Sequence, residues 1–180
     1  MLTILVPGAK YLDDSTQSFI EVKPRLLHLE HSLASVALWE SLWEKPFFSN
    51  NSMTVTQTMD YIKCMTLDDN VDPLVYKGIK NDLIKKIEEY IKRPMTATWF
   101  SETERPKKQK KIVTAEIIYY QMATLNIPFE CDKWHLNRLL TLIRVCADKN
   151  APPKKLSKSD IYKRNRELNA ANRRKAKSNG

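Results

Sequence analysis

The sequence predicts an α+β fold, predominantly α-helical: an N-terminal β-hairpin or small antiparallel sheet, about five helices, and a basic C-terminal helical tail. Three observations predict it. Apolar residues alternate with others near the N-terminus; from Ser32 to Asn150 they recur at helical spacing behind recognisable caps; and the charge gathers at the end. The 180 residues carry a formal charge of +9. From Lys154 to Gly180, ten Lys or Arg stand against Asp160 and Glu167, a net of +8, so the preceding residues are near +1. The expected organisation is a compact domain over 1–150 (β element 1–31, helical core 32–150) and an exposed basic tail over 151–180.

Leu2, Ile4 and Val6 read as a first strand. Asp13-Asp14-Ser15-Thr16 is a turn cluster, after which Phe19-Ile20-Glu21-Val22 reads as the return strand of a hairpin. Leu27-His28-Leu29-Glu30 alternates again, as a third strand or an extended lead-in. Ser32 supplies an N-cap oxygen for a helix to about Glu44, with Leu38–Leu42 and Trp39–Trp43 giving it a broad apolar face. Thr54 or Thr56 caps a second helix through Met59, Ile62 and Cys64, and Asp72-Pro73 opens a short helical turn. Asn81 is expected to cap a helix with Leu83, Ile84, Ile87, Tyr90 and Ile91 on one face. Ser101 to Lys111 reads as a charged loop, and Thr114 caps a helix that ends before Pro128. Asp132 is expected to cap the next helix, whose apolar density from Trp134 to Cys146 places it at the centre of the core. After Pro152-Pro153, Ser157 and Asp160 resemble a capping box for the tail.

Composition removes several function classes. The three glycines, Gly8, Gly78 and Gly180, cannot form a clustered phosphate-binding loop. Cys64, Cys131 and Cys146 are widely spaced and read as reduced, mostly buried thiols. Cys131 with His135 is half of a zinc site lacking a second ligand pair, so neither metal nor cofactor is expected. No apolar run is long enough to span a bilayer, and Met1 to Val6 lacks the features of a signal peptide, so an intracellular chain is expected. Glu40 and Glu44 read as a solvated helix edge, and His28, His31 and His135 as surface or cap-proximal histidines. His135-Leu136-Asn137-Arg138 is superficially similar to a nuclease motif but has no companion ligands. No enzyme is expected.

Two segments remain as candidate partner-binding sites. Trp99-Phe100 adjoins Arg105, Lys107, Lys108, Lys110 and Lys111, an aromatic pair beside five cations. In the tail, Lys154, Lys155, Lys163, Arg164, Arg166, Arg173, Arg174 and Lys175 suit an acidic protein surface or a phosphate backbone.

Leu29-Glu30-His31-Ser32-Leu33, leading into Trp39-Glu40-Ser41 and Trp43-Glu44-Lys45-Pro46-Phe47, resembles small proteins encoded in the structural modules of tailed bacteriophages. So do Asp60 to Thr66, Pro94 to Thr98, Asn126 to Cys131 with Trp134 to Leu140, and Ala151 to Lys155 with Arg164-Asn165 and Leu168 to Ala171. The resemblance spans nearly the whole chain and is to tail assembly chaperones of siphophage type. It implies a non-enzymatic factor in the host bacterial cytoplasm, absent from the mature virion. Such a factor holds the tape-measure protein until tail-tube subunits polymerise around it. It transfers no functional residue. On this reading the body covers apolar helical stripes and the tail supplies charge steering. The competing readings are a nucleic-acid-binding phage protein and a head–tail component that stays in the virion.

Overall fold

The structure is a computed structural model that describes residues 1–13, 17–49, 53–100, 112–151 and 158–176. It divides into two units, Met1–Ala147 and Asp148–Gly180. The fold is α+β and mostly helical, as the sequence predicts.

Four strands open the chain, but their pairing differs from the simple hairpin expected. β1 (Leu2–Val6) pairs antiparallel with β4 (Arg25–Leu29), placing Ile4 opposite Leu27 and Leu2 opposite Leu29. Between them, β2 (Ala9–Asp13) pairs with β3 (Ser18–Val22) in a hairpin of its own. The return strand at 19–22 therefore serves β2, a strand the sequence reading did not identify. Period-two alternation sends Ile4, Val6, Leu27 and Leu29 inward, where all four are buried.

Gly8 lies where the outer pair crosses to the inner one. A β-carbon there would sit 2.7 Å from the Val22 carbonyl oxygen and 2.9 Å from Pro24 Cδ, both on rigid atoms. Gly8→Ala is thus expected to destabilise the body by about 1–3 kcal/mol, the usual cost of overpacking. The check is the urea midpoint; an unchanged midpoint means the crossing is looser than the geometry states.

Helix α1 (Leu33–Trp43) starts at Ser32 as expected. Ser32 Oγ accepts from the Ser35 N–H and Ser35 Oγ accepts from the Ser32 N–H, a reciprocal cap built from two serines. Glu44 ends the helix in the left-handed region. α2 (Val55–Met65) repeats the device with Thr54 and Gln57. α3 (Pro73–Tyr76) begins behind Asp72. For α4 (Asn81–Lys92) the cap position is Lys80, one residue earlier than predicted, and Asn81 is already helical. α5 (Ala115–Thr124) follows Thr114.

The region after α5 departs most from expectation. Asp132 lies inside a short 3-10 helix (Phe129–Lys133), where its carboxylate accepts from the Tyr119 hydroxyl. α6 starts only at Leu136 and runs to Asn150. The reason is long-range: Ser32 and His135 form a β-bridge, and the Leu136 N–H donates to the His31 carbonyl at 2.7 Å. Those contacts hold Trp134 and His135 extended, so the local Asp132 signal is overridden. Nor is α6 the centre of the core. It buries one stripe, Leu136, Leu139 and Ile143, leaving Leu140, Leu142 and Cys146 half-buried. The residues sealed from solvent come from several elements at once: Leu27 and Leu29 of β4, Leu33 and Val36 of α1, Met65 of α2, Met122 of α5 and Leu139 of α6.

In the second unit, α7 (Lys158–Ala176) forms a single 19-residue helix. Each of its residues whose side chain is described is exposed. The Ser157–Asp160 cap expected for it lies outside the described residues and side chains.

Candidate functional site

Trp99 and Phe100 part company. Trp99 is 84% exposed. Phe100 is half-buried under the Arg144 guanidinium, 3.7 Å from its ring centroid, a cation–π contact supplied by α6. Arg105, Lys107, Lys108, Lys110 and Lys111 lie outside the described residues, as do Lys154 and Lys155. On α7, Lys163, Arg164, Arg166, Arg173, Arg174 and Lys175 are all exposed.

The sequence reading missed an apolar strip on α1. Leu38 and Leu42, read as part of the core face, are 60% and 61% exposed. The core takes the other side of the helix, through Leu33, Val36, Trp39 and the carboxylate-bearing Glu40. Because residues three and four apart are neighbours on a helix surface, Leu42 lies beside Trp39. Trp39, Phe47 and Met53 line a hollow of about 250 Å³ whose polar residues include Lys45 and Gln57. The signal was present in the sequence: α1 is apolar nearly all round, more than one buried face can use. A second exposed apolar pair, Leu5 opposite Leu26, covers the outer face of the β1–β4 ladder.

Glu40 is not the solvated group the sequence suggested, and His31 and His135, beside the starts of α1 and α6, are cap-proximal as expected but buried. Glu40 is buried, and its two carboxylate oxygens accept separately from the Phe47 N–H and the Ala115 N–H, each at 2.7 Å. The second donor stands at the N-terminus of α5, where orphan N–H groups and the helix dipole both favour an anion. His31 is buried beside Tyr61, and its Nδ1 shares a short hydrogen bond with the Tyr61 hydroxyl. His135 is also buried, its ring edge-on to that of His31 at 5.3 Å. Its Nδ1 accepts from the Asn137 N–H, so Nε2 carries the proton and donates to the Tyr90 carbonyl at 3.2 Å. Glu30 closes the cluster by accepting from the Tyr90 hydroxyl at 2.7 Å and pairing with the Met1 amino group at 2.6 Å. His28 matches the surface half of the expectation, partly exposed and paired with Asp68.

Burial sets the electrostatics of this cluster. Desolvation, reinforced by His135, pushes the His31 imidazole down to about 4. His135 is lowered chiefly by desolvation as well. Desolvation raises the hydroxyls of Tyr61 and Tyr90, and Glu30 raises Tyr90 further by accepting from it. The resemblance of His135-Leu136-Asn137-Arg138 to a nuclease motif gains a structural meaning here. Asn137 Nδ2 donates to the carbonyls of Ile91 and Arg93 at 2.9 and 2.7 Å, so with His135 it satisfies the free carbonyls ending α4.

Among the described residues, no group of three or more His, Cys, Asp or Glu is placed to hold a metal ion. No helix among them is long and apolar enough to cross a membrane. No protein-family model matches the chain, and comparison with curated proteins and with solved structures finds no match.

Proposed function

We propose that this chain is a tail assembly chaperone of siphophage type, which binds the tape-measure protein transiently and without chemistry during tail morphogenesis. The observation that carries the reading is the strip of Leu38 and Leu42 beside the hollow of Trp39, Phe47 and Met53. A protein that must hold an unassembled helix needs apolar surface it has not spent on its own core. Helix-in-groove recognition uses anchors at i, i+3, i+4 and i+7, and a strip with an adjoining hollow accepts such anchors. Lys45 on the hollow's wall favours a carboxylate beside the anchor.

Co-expression with the tape-measure protein tests this. The wild-type chain is expected to raise the soluble fraction of the tape measure several-fold. Leu38→Glu with Leu42→Glu should abolish that rise while leaving the chain folded, because both side chains are already exposed. No gain in tape-measure solubility with the wild-type chain overturns the reading. An equal gain with the double variant moves the docking surface elsewhere on the body.

A further inference from the structure

We infer that α7 is a specific helix-docking element whose partner is an apolar furrow on an acidic, helical protein surface. This deepens the chaperone reading and rests on it for the identity of that partner. From Ile161 onward, uncharged residues fill one strip of the helix: Ile161, Tyr162, Asn165, Leu168, Asn169 and Asn172. At 3.6 residues per turn that strip covers about a third of the circumference. Arg164 and Lys175 border it on one side, Arg166 and Arg173 on the other.

Within the strip, Ile161, Asn165, Leu168 and Asn172 are separated by four, three and four residues, the spacing of a coiled-coil seam. The aliphatic pair takes one of the two seam positions and the asparagine pair takes the other. Buried asparagine at such a position weakens a seam but fixes its register, because each amide needs a partner at one alignment. A tail serving only as a diffuse charge has no need of this pattern.

Charge then selects the occupant. Seven residues after Leu168 the seam reaches Lys175, so a parallel second copy of α7 would set two ammonium groups against each other in the seam, which disfavours self-pairing. Phosphate contacts alone would place cations at the centre of the contact face, whereas here Arg164, Lys175, Arg166 and Arg173 flank an apolar and amide strip and Lys163 and Arg174 lie opposite it. A furrow with carboxylates on both rims satisfies both flanks while covering Ile161 and Leu168. A helix of this length with so little apolar surface is marginal by itself in water, so docking also supplies the burial that stabilises it.

The test uses the full chain and a labelled synthetic heptad peptide with Leu and Asn along its seam and Glu on both flanks. Anisotropy is read at about 0.15 M and about 0.5 M salt, the higher value screening the charges to a few ångströms. The wild type is expected to bind in the micromolar range. I161Q/L168Q, which keeps helix propensity and charge, should bind at least tenfold more weakly at both salt concentrations. R164Q/R166Q/R173Q/K175Q should weaken binding at low salt and match the wild type at high salt. Failure of the peptide to bind, equal binding by I161Q/L168Q, or tighter binding of a duplex oligonucleotide at 0.15 M salt each overturns the inference. The chaperone reading fails separately: if the peptide results hold but the wild-type chain does not solubilise the tape measure, the docking mode stands with a different acidic protein.

Discussion

Glu40→Ala is expected to lower the stability of the body by about 4 kcal/mol, since it removes two charge-assisted hydrogen bonds and leaves two donors without a protein acceptor. For a unit of this size that is a fall of roughly 10 °C in the thermal midpoint. The effect is large because the two oxygens serve different elements. One holds the Phe47 N–H just beyond α1, positioning a ring that packs 4.4 Å from Tyr61 and 5.4 Å from Trp39, centroid to centroid. The other ties the start of α5 to α1 across 75 positions of sequence. Glu40→Gln keeps one acceptor oxygen and turns an NH2 group toward the other donor, so it should recover about half of the loss. Thermal and urea unfolding of the three proteins supply the measurement. A Glu40→Ala midpoint within 2 °C of wild type means the carboxylate does not bridge these elements in solution.

Acidification provides the second large effect. The folded-state pKa of His31 is about 4, below the 6.5 of the free side chain. Between those values the unfolded chain binds the proton and the folded chain does not, so stability falls as the pH drops through this window. Above pH 6.5 the group is neutral in both states and contributes no slope. The full drop is about 3 kcal/mol from His31, with His135 adding in the same direction. Chemical denaturation at a series of pH values from 7.5 to 4 should show a decline that begins near 6.5. His31→Asn, which can replace Nδ1 as a hydrogen-bonding partner of Tyr61, should flatten much of it. A wild-type decline in that variant would assign the acid sensitivity to other groups.

These two sites show how far the sequence could be read. Caps were legible because they are local: Ser32, Thr54 and Asp72 sit within three residues of the N–H groups they satisfy. The amphipathic face of α4 was legible for the same reason, its apolar residues repeating within one element. Glu40 was not, because polar Ser41 and Lys45 beside it say nothing of an α5 N-terminus far along the chain. That His31 and His135 lie beside helix starts was legible, but their burial was not, because it follows from the bridge between Ser32 and His135, a tertiary contact with no sequence signature. β2 escaped because Ala9 and Lys10 are weak strand formers, and its strand character comes from pairing with Val22 and Glu21. The apolar strip on α1 was visible as composition, but only packing shows which leucines the core leaves out.

The nesting of one strand pair inside the other has a consequence for the order in which the chain folds. Joining β1 to β4 directly must close the whole segment 7–24 against chain entropy. The β2–β3 hairpin is local and forms on the microsecond scale. Once it has formed, only Pro7, Gly8, Lys23 and Pro24 remain free between the outer strands. By the logarithmic dependence on loop length, that shortening lowers the closure cost by about 1 kcal/mol. A hairpin with little buried surface of its own is thereby expected to act as a kinetic guide, easing the pairing of Leu27 and Leu29 with Ile4 and Leu2.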